Sequence, residues 1–153
     1  MMRVSPPPPC SRPSKLPSAT RQRTGSLLLV LAGAVGLAAE LALTEHWHDR
    51  WQYIPFALCL LISTASVVCL VRPGSAATRM ARVVAVLTVI GACVGVGQHL
   101  WANATFTAEI RPSYTLSQLI IPAFTGASPA LAPGALGLFG AWLWLIAPCP
   151  SER

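Results

Sequence analysis

The sequence predicts an all-α membrane protein, with four transmembrane helices packed as a bundle behind a disordered N-terminal tail. Three observations predict it. Apolar runs at residues 26–45, 54–71, 83–101 and 129–147 each approach the roughly 20 helical residues needed to cross about 30 Å of hydrocarbon. Charged residues make up only 10% of the chain, against about 25% in soluble domains. They cluster in the first 25 residues and in the gaps between the runs, as expected when a charge at mid-bilayer costs roughly 2.5–3.5 kcal/mol.

Residues 1–25 contain the run Pro6-Pro7-Pro8-Pro9 together with Arg3, Arg12, Lys15, Arg21 and Arg23. So little apolar surface cannot offset the entropy of ordering, and a disordered basic Pro/Ser-rich tail is expected. The first span, 26–45, competes with a cleavable signal, since Gly36 and Ala38 are small enough for a cleavage site. The long basic segment before it and the leucine-rich sequence after it favour a retained span. In the second span, 54–71, Pro55 falls in the first turn, where a missing N–H does no harm. Arg72-Pro73-Gly74 ends it. The third span, 83–101, opens after Arg79 and Arg82, and the fourth, 129–147, closes before Pro148. Pro133 places the start of regular helix in the fourth span near that residue. The connection 102–128 carries the short apolar patch 119–124, which suits an interfacial or re-entrant helix better than a crossing.

Orientation follows from counting charges. One side carries Arg3, Arg12, Lys15, Arg21, Arg23, Arg72, Arg79, Arg82 and Arg153 against Glu152 alone. The other carries Arg50 and Arg111 against Glu40, Glu45, Asp49 and Glu109. The basic side is the cytoplasmic one, so both termini, including the 148–153 tail, are expected in the cytoplasm of a cell with a bacterial-type inner membrane. Trp47, Trp51, Tyr53, Trp101 and Phe106 flank the outer ends of the spans, and Trp142 and Trp144 approach the inner end of the fourth, where aromatic rings favour the headgroup level.

The lipid bilayer is thus the first expected partner. The net charge of +6 is accounted for by topology, and without basic residues interleaved with aromatics no nucleic acid is expected. The five cysteines form no C-x-x-C pair; Cys59, Cys69 and Cys93 read as small packing residues within helices. Gly33 and Gly36, Gly91, Gly95 and Gly97, and Gly134, Gly137 and Gly140 are spaced to let helices approach closely. Such faces would serve packing within the bundle, a homo-oligomer or a membrane-protein partner.

All three histidines fall on the outer side, His46 and His48 in the first loop and His99 at the end of the third span, with Asp49 beside the first pair. If the first helix extends past the membrane, His46 and Asp49 are i, i+3 neighbours, as His99 and Asn103 are i, i+4 neighbours on the third. Imidazole and carboxylate together would suit a divalent transition metal, and histidine also titrates near neutral pH. Glu40 lies inside the first apolar run, where an acid is expected either to have a partner or a water path, with His99 or Arg50 supplying the partner, or, being near the end of the span, to reach the headgroup region at reduced cost. The candidate metal or proton site is therefore Glu40, His46, His48, Asp49 and His99, weighed against an ordinary solvated loop.

Glu40, Leu43, His46 or His48, Asp49, Trp51, Gln52, Ile54 and Pro55, with the P-A-L-A-P-G run at residues 129–134, resemble small four-pass bacterial inner-membrane proteins. The resemblance covers roughly residues 26–147. It implies the four-span fold and a bacterial source, and no activity is attached to it. No nucleophile elbow or phosphate loop is readable. The residues lean towards a non-enzymatic accessory or assembly component. The alternative is a small transporter or sensor in which the outer His/Glu/Asp cluster handles a metal ion or protons.

Overall fold

The computed structural model describes residues 17–126 and 131–147. It is helical, with no strand among the described residues. Five helices follow in order: α1 Pro17–Leu43, α2 Tyr53–Val71, α3 Ser75–Ile110, α4 Leu116–Thr125 and α5 Leu131–Ile146, with a 3-10 turn at Arg50–Gln52 ahead of α2. Three segments are long and apolar enough to cross a membrane: Thr20–Leu43, Arg50–Val71 and Ser75–Ile110. The fourth expected span is represented by α5, whose 16 residues extend about 24 Å. Helix α5 nonetheless lies within the bundle, packed against α3 and also against α1 and α2.

Three boundaries differ from the sequence reading, one being that α3 starts at Ser75, eight residues before the expected opening of the third span at 83. Helix α1 starts at Pro17, so residues 17–25 belong to a helix rather than to the tail. Proline suits a helix start because its missing N–H is one of the unpaired donors there, and the arginines that follow are good helix formers. The remaining tail, 1–16, and the C-terminal segment, 148–153, lie outside the described residues, as do Cys10 and Cys149. Helix α3 runs on past Trp101 to Ile110. Its 36 residues reach about 54 Å, well beyond a hydrocarbon core.

The extension is held by α4, which packs back against α3. Asn103, 5% exposed, donates from Nδ2 to the carbonyl of Ala123 at 3.0 Å. Gly126 follows directly beneath it, because a Cβ there would strike the Asn103 side chain. Apolar Leu116, Ile120, Ile121 and Phe124 of α4 stay exposed, the pattern of a helix lying at an interface.

The core runs through the bundle, with Val30, Cys59, Ile62, Leu136 and Leu143 nearly inaccessible. Glycines set the closest approaches. A Cβ at Gly140 would sit 3.1 Å from the Ala85 carbonyl oxygen and from the Thr88 side chain, and one at Gly137 would sit 3.0 Å from the Ala92 Cβ. The α3–α5 seam therefore closes backbone against backbone. Buried Thr88 donates to Val84 O at 2.8 Å, so its hydroxyl is satisfied within its own helix. Gly36, Gly97 and Gly134, read from sequence as further packing positions, have nothing within contact of an added Cβ.

A candidate ligand cavity at the acidic end

Short connections and antiparallel packing bring the C-terminal end of α1, the N-terminal end of α2 and the later part of α3 to one end of the bundle. The first of these ends in a turn that decides where His46 goes. His46 N–H donates to Leu41 O at 2.9 Å and Glu45 N–H to Ala42 O at 3.1 Å, with Glu45 at φ 53°. This is the Schellman arrangement, in which a left-handed residue reverses the chain. Glycine usually occupies that place; here a glutamate does. The reversal carries His46 back over the bundle rather than onward in helical register. The helical i, i+3 relation expected between His46 and Asp49 does not form.

A cavity of about 350 Å³ lies at this end, lined by α1, α2, α3, α5 and the turn before α2. Its ionisable lining groups are Glu40, His46 and His99. Gln98, Thr44, Gln52 and Trp51 also line it. The remaining wall is apolar, drawn from Leu37, Leu41 and Leu58 on one side and Val94, Pro133 and Leu136 on the other. Gly91 and Gly95 line it as well. From Gly91 to His99 is eight residues, about 12 Å along α3. A cavity of this size, mostly apolar with a few convergent polar groups, has the character of a small-ligand site.

The His46 and His99 rings stack with centroids 6.4 Å apart and planes 13° from parallel. The in-plane lone pairs of near-parallel rings do not converge on one point between them, unlike the ligands of a tetrahedral metal centre. Among the described residues no group of three or more His, Cys, Asp and Glu is placed to hold a metal ion.

The five expected site residues therefore separate. Glu40, His46 and His99 meet at the cavity; His48 and Asp49 do not line it and are exposed in the connection. The Asp49 backbone N–H is engaged locally, donating to Gln52 Oε1 at 3.1 Å. Neither partner anticipated for Glu40 is engaged: among the described residues its carboxylate forms no ion pair with Arg50 or with His99. Asn103 keeps its helical relation to His99 but turns its side chain to α4.

The contribution of α5 and the glycine-lined wall were not foreseen. A signal for the latter existed: Gly91, Gly95, Gln98 and His99 fall at i, i+4, i+7 and i+8, one face of one helix. In sequence, Gly91 and Gly95 read as helix-packing positions. Comparisons of the chain with protein-family models, with curated proteins and with solved structures give no match, so the cavity is interpreted from its own geometry.

Proposed function

We propose that this chain is a four-pass protein of a bacterial inner membrane, both termini cytoplasmic, acting as a small transporter or sensor. Its outer cluster of Glu40, His46 and His99 takes up protons and couples them to the occupancy of the cavity. The observation that carries this reading is that Glu40 and His46, from the end of α1 and the turn after it, line one cavity among apolar helices with His99 of the distant α3. An accessory protein acting through helix packing alone needs no such cavity. The same geometry favours protons or a small ligand over a metal ion, since the stacked rings do not present a convergent donor set.

The electrostatics support a protonation-sensitive site. Glu40 is contributed by α1, His46 by the turn after it and His99 by α3; α2 and α5 add no ionisable lining group among the described residues. With both imidazoles neutral the mouth carries one negative charge, and with both protonated it carries net positive charge. Glu45, His48, Asp49 and Arg50 flank it in the exposed connection and contribute a screened background.

Trp51 lines the cavity and can report on it. In a variant that keeps Trp51 and replaces the other four tryptophans by phenylalanine, fluorescence should change sigmoidally with pH through the imidazole range. His46→Gln with His99→Gln should flatten the curve. A flat curve in the parent would remove the proton reading and restore the accessory role. Stoichiometric metal that is lost on replacing both histidines by alanine would convert the site into a metal centre.

A further inference from the structure

Building on the reading of this cavity as a ligand site, we infer that its occupant is a small organic cation with an apolar body. An aryl- or alkylammonium ion represents the class, its charged head against Glu40 and its body along the wall of Leu58, Val94 and Leu136.

The sign of the charge comes from the lining. Glu40 is the one acid there and no lysine or arginine lines the cavity among the described residues. Its carboxylate has no side-chain ion pair or hydrogen bond among the described residues, although Arg50 follows within the same connection. Glu40 is exposed where it borders the cavity, and an accessible carboxylate beside apolar walls, with no counter-ion among the described residues, is matched best by a cation brought from outside. An anion would meet the carboxylate with no fixed positive charge to offset it.

The kind of cation comes from the rest of the surface. Trp51 and the two imidazole rings line the same mouth, and aromatic faces attract poorly hydrated organic cations. Below them the wall is apolar, with Gly91, Val94 and Gly95 over about 6 Å of α3 facing Leu58, Pro133 and Leu136, so a bare inorganic ion would leave most of the cavity unfilled. A volume of about 350 Å³ suits a molecule with one ring or a short alkyl body. The long-range field agrees: at this end of the bundle Glu40, Glu45, Asp49 and Glu109 outnumber Arg50 and Arg111, and Arg21, Arg23, Arg72, Arg79 and Arg82 belong to the opposite end. Cations are drawn to the mouth.

The test is equilibrium dialysis of benzyltrimethylammonium against the full chain in lipid nanodiscs, with protein-free nanodiscs subtracted, at about pH 8, where imidazole free in water is neutral. Saturable binding at one site per chain is expected. Glu40→Gln should weaken it by at least about tenfold, the scale of losing one partner of a close charge pair. Glu40→Asp should retain most of it, and Glu109→Gln, which removes a screened acid from the same end but outside the cavity, should change it by less than about twofold. Ala132→Leu, which narrows the cavity without touching its charge, should weaken the benzyl compound more than tetramethylammonium. Equal binding by the uncharged carbon isostere neopentylbenzene, or by the anion 3-phenylpropanoate, would overturn the inference. So would a Glu40→Gln protein that melts like the parent and binds like it. The proton reading is judged separately by the Trp51 titration: a cation bound without any pH response sinks that reading alone, and a pH response without cation binding sinks this one alone.

Discussion

The two ends of the bundle are built from similar residues and reach opposite results. At the arginine end, α3 and α5 close on each other through Gly140, which faces Ala85 and Thr88. Arg82 there lies over the Trp144 ring, 5.3 Å from its centroid, a cation–π contact that suits a residue pair at the edge of a membrane. Cys69 Sγ approaches the Ala77 carbonyl at 3.7 Å, tying α2 to α3 across the Arg72–Gly74 connection. At the acidic end, Gly91 and Gly95 also remove side chains from α3, yet both border a cavity. A Cβ at Gly91 would meet only the tip of Leu58, at 2.5 Å, and one at Gly95 would meet Pro133 at 3.0 Å. At both ends the space a side chain would take is already occupied. At Gly140 the occupant is a backbone carbonyl and a buried threonine stem, which close the seam; at Gly91 and Gly95 it is the tip of Leu58 and the Pro133 ring, which themselves line the cavity.

The largest expected effect breaks the sealed end. Gly140→Leu places new atoms against a backbone carbonyl and the stem of a buried threonine, neither of which can swing aside, and should cost about 3 kcal/mol. Gly36→Leu is the contrast. Nothing lies within 4 Å of a Cβ at that exposed position, and the change should stay within about 1 kcal/mol. Thermal unfolding in detergent micelles compares them. Equal losses would mean that the seam is not what holds α5. If Gly36→Leu instead reduced the size of an oligomer without lowering the melting temperature of the single chain, a second protein would be placed on that face of α1.

Much of the bundle was legible in the sequence because lipid leaves the backbone few alternatives. A long apolar run must satisfy its own N–H and C=O groups, and a helix does so. The three long helices follow from that constraint, as does the grouping of His46 and His99 at one end. The helix ends were less legible, because polarity was equated with loop. Residues 102–110 are polar enough to suggest a connection, but Thr105 and Thr107 turn their hydroxyls back to Trp101 O and Asn103 O, at 3.0 and 2.8 Å. Those side chains decorate a helix instead of ending it. The cavity was the least legible feature. It depends on a reversal at Glu45 that carries no glycine signal, and on α5 contributing Ala132, Pro133 and Leu136 from far along the chain.

A second prediction concerns what holds the α3 extension above the acidic end. Asn103→Ala removes the hydrogen bond to Ala123 O and opens space beneath Gly126, and should cost roughly 1–2 kcal/mol. Hydrogen exchange locates the loss. Amides of α4 and of residues 103–110 should exchange faster, while those of α5 around Leu143 stay protected. Uniform loosening of the whole bundle would show that α4 is part of one cooperative unit with it.

The smallest effect has the opposite sign. Glu45 holds a left-handed conformation at φ 53° that costs a non-glycine residue roughly 1 kcal/mol. Glu45→Gly should recover about that much and raise the melting temperature slightly. Because the substitution keeps the reversal, His46 should remain stacked on His99 and the Trp51 fluorescence titration should keep its midpoint. Glu45→Pro separates geometry from charge. Proline cannot adopt a positive φ and lacks the N–H that Glu45 gives to Ala42 O, so the chain can no longer fold His46 back. The acidic end should then lose its pH response and its aromatic mouth, while the arginine end stays closed. A Glu45→Pro protein whose Trp51 titration matched the parent would show that the cavity mouth is assembled without this turn.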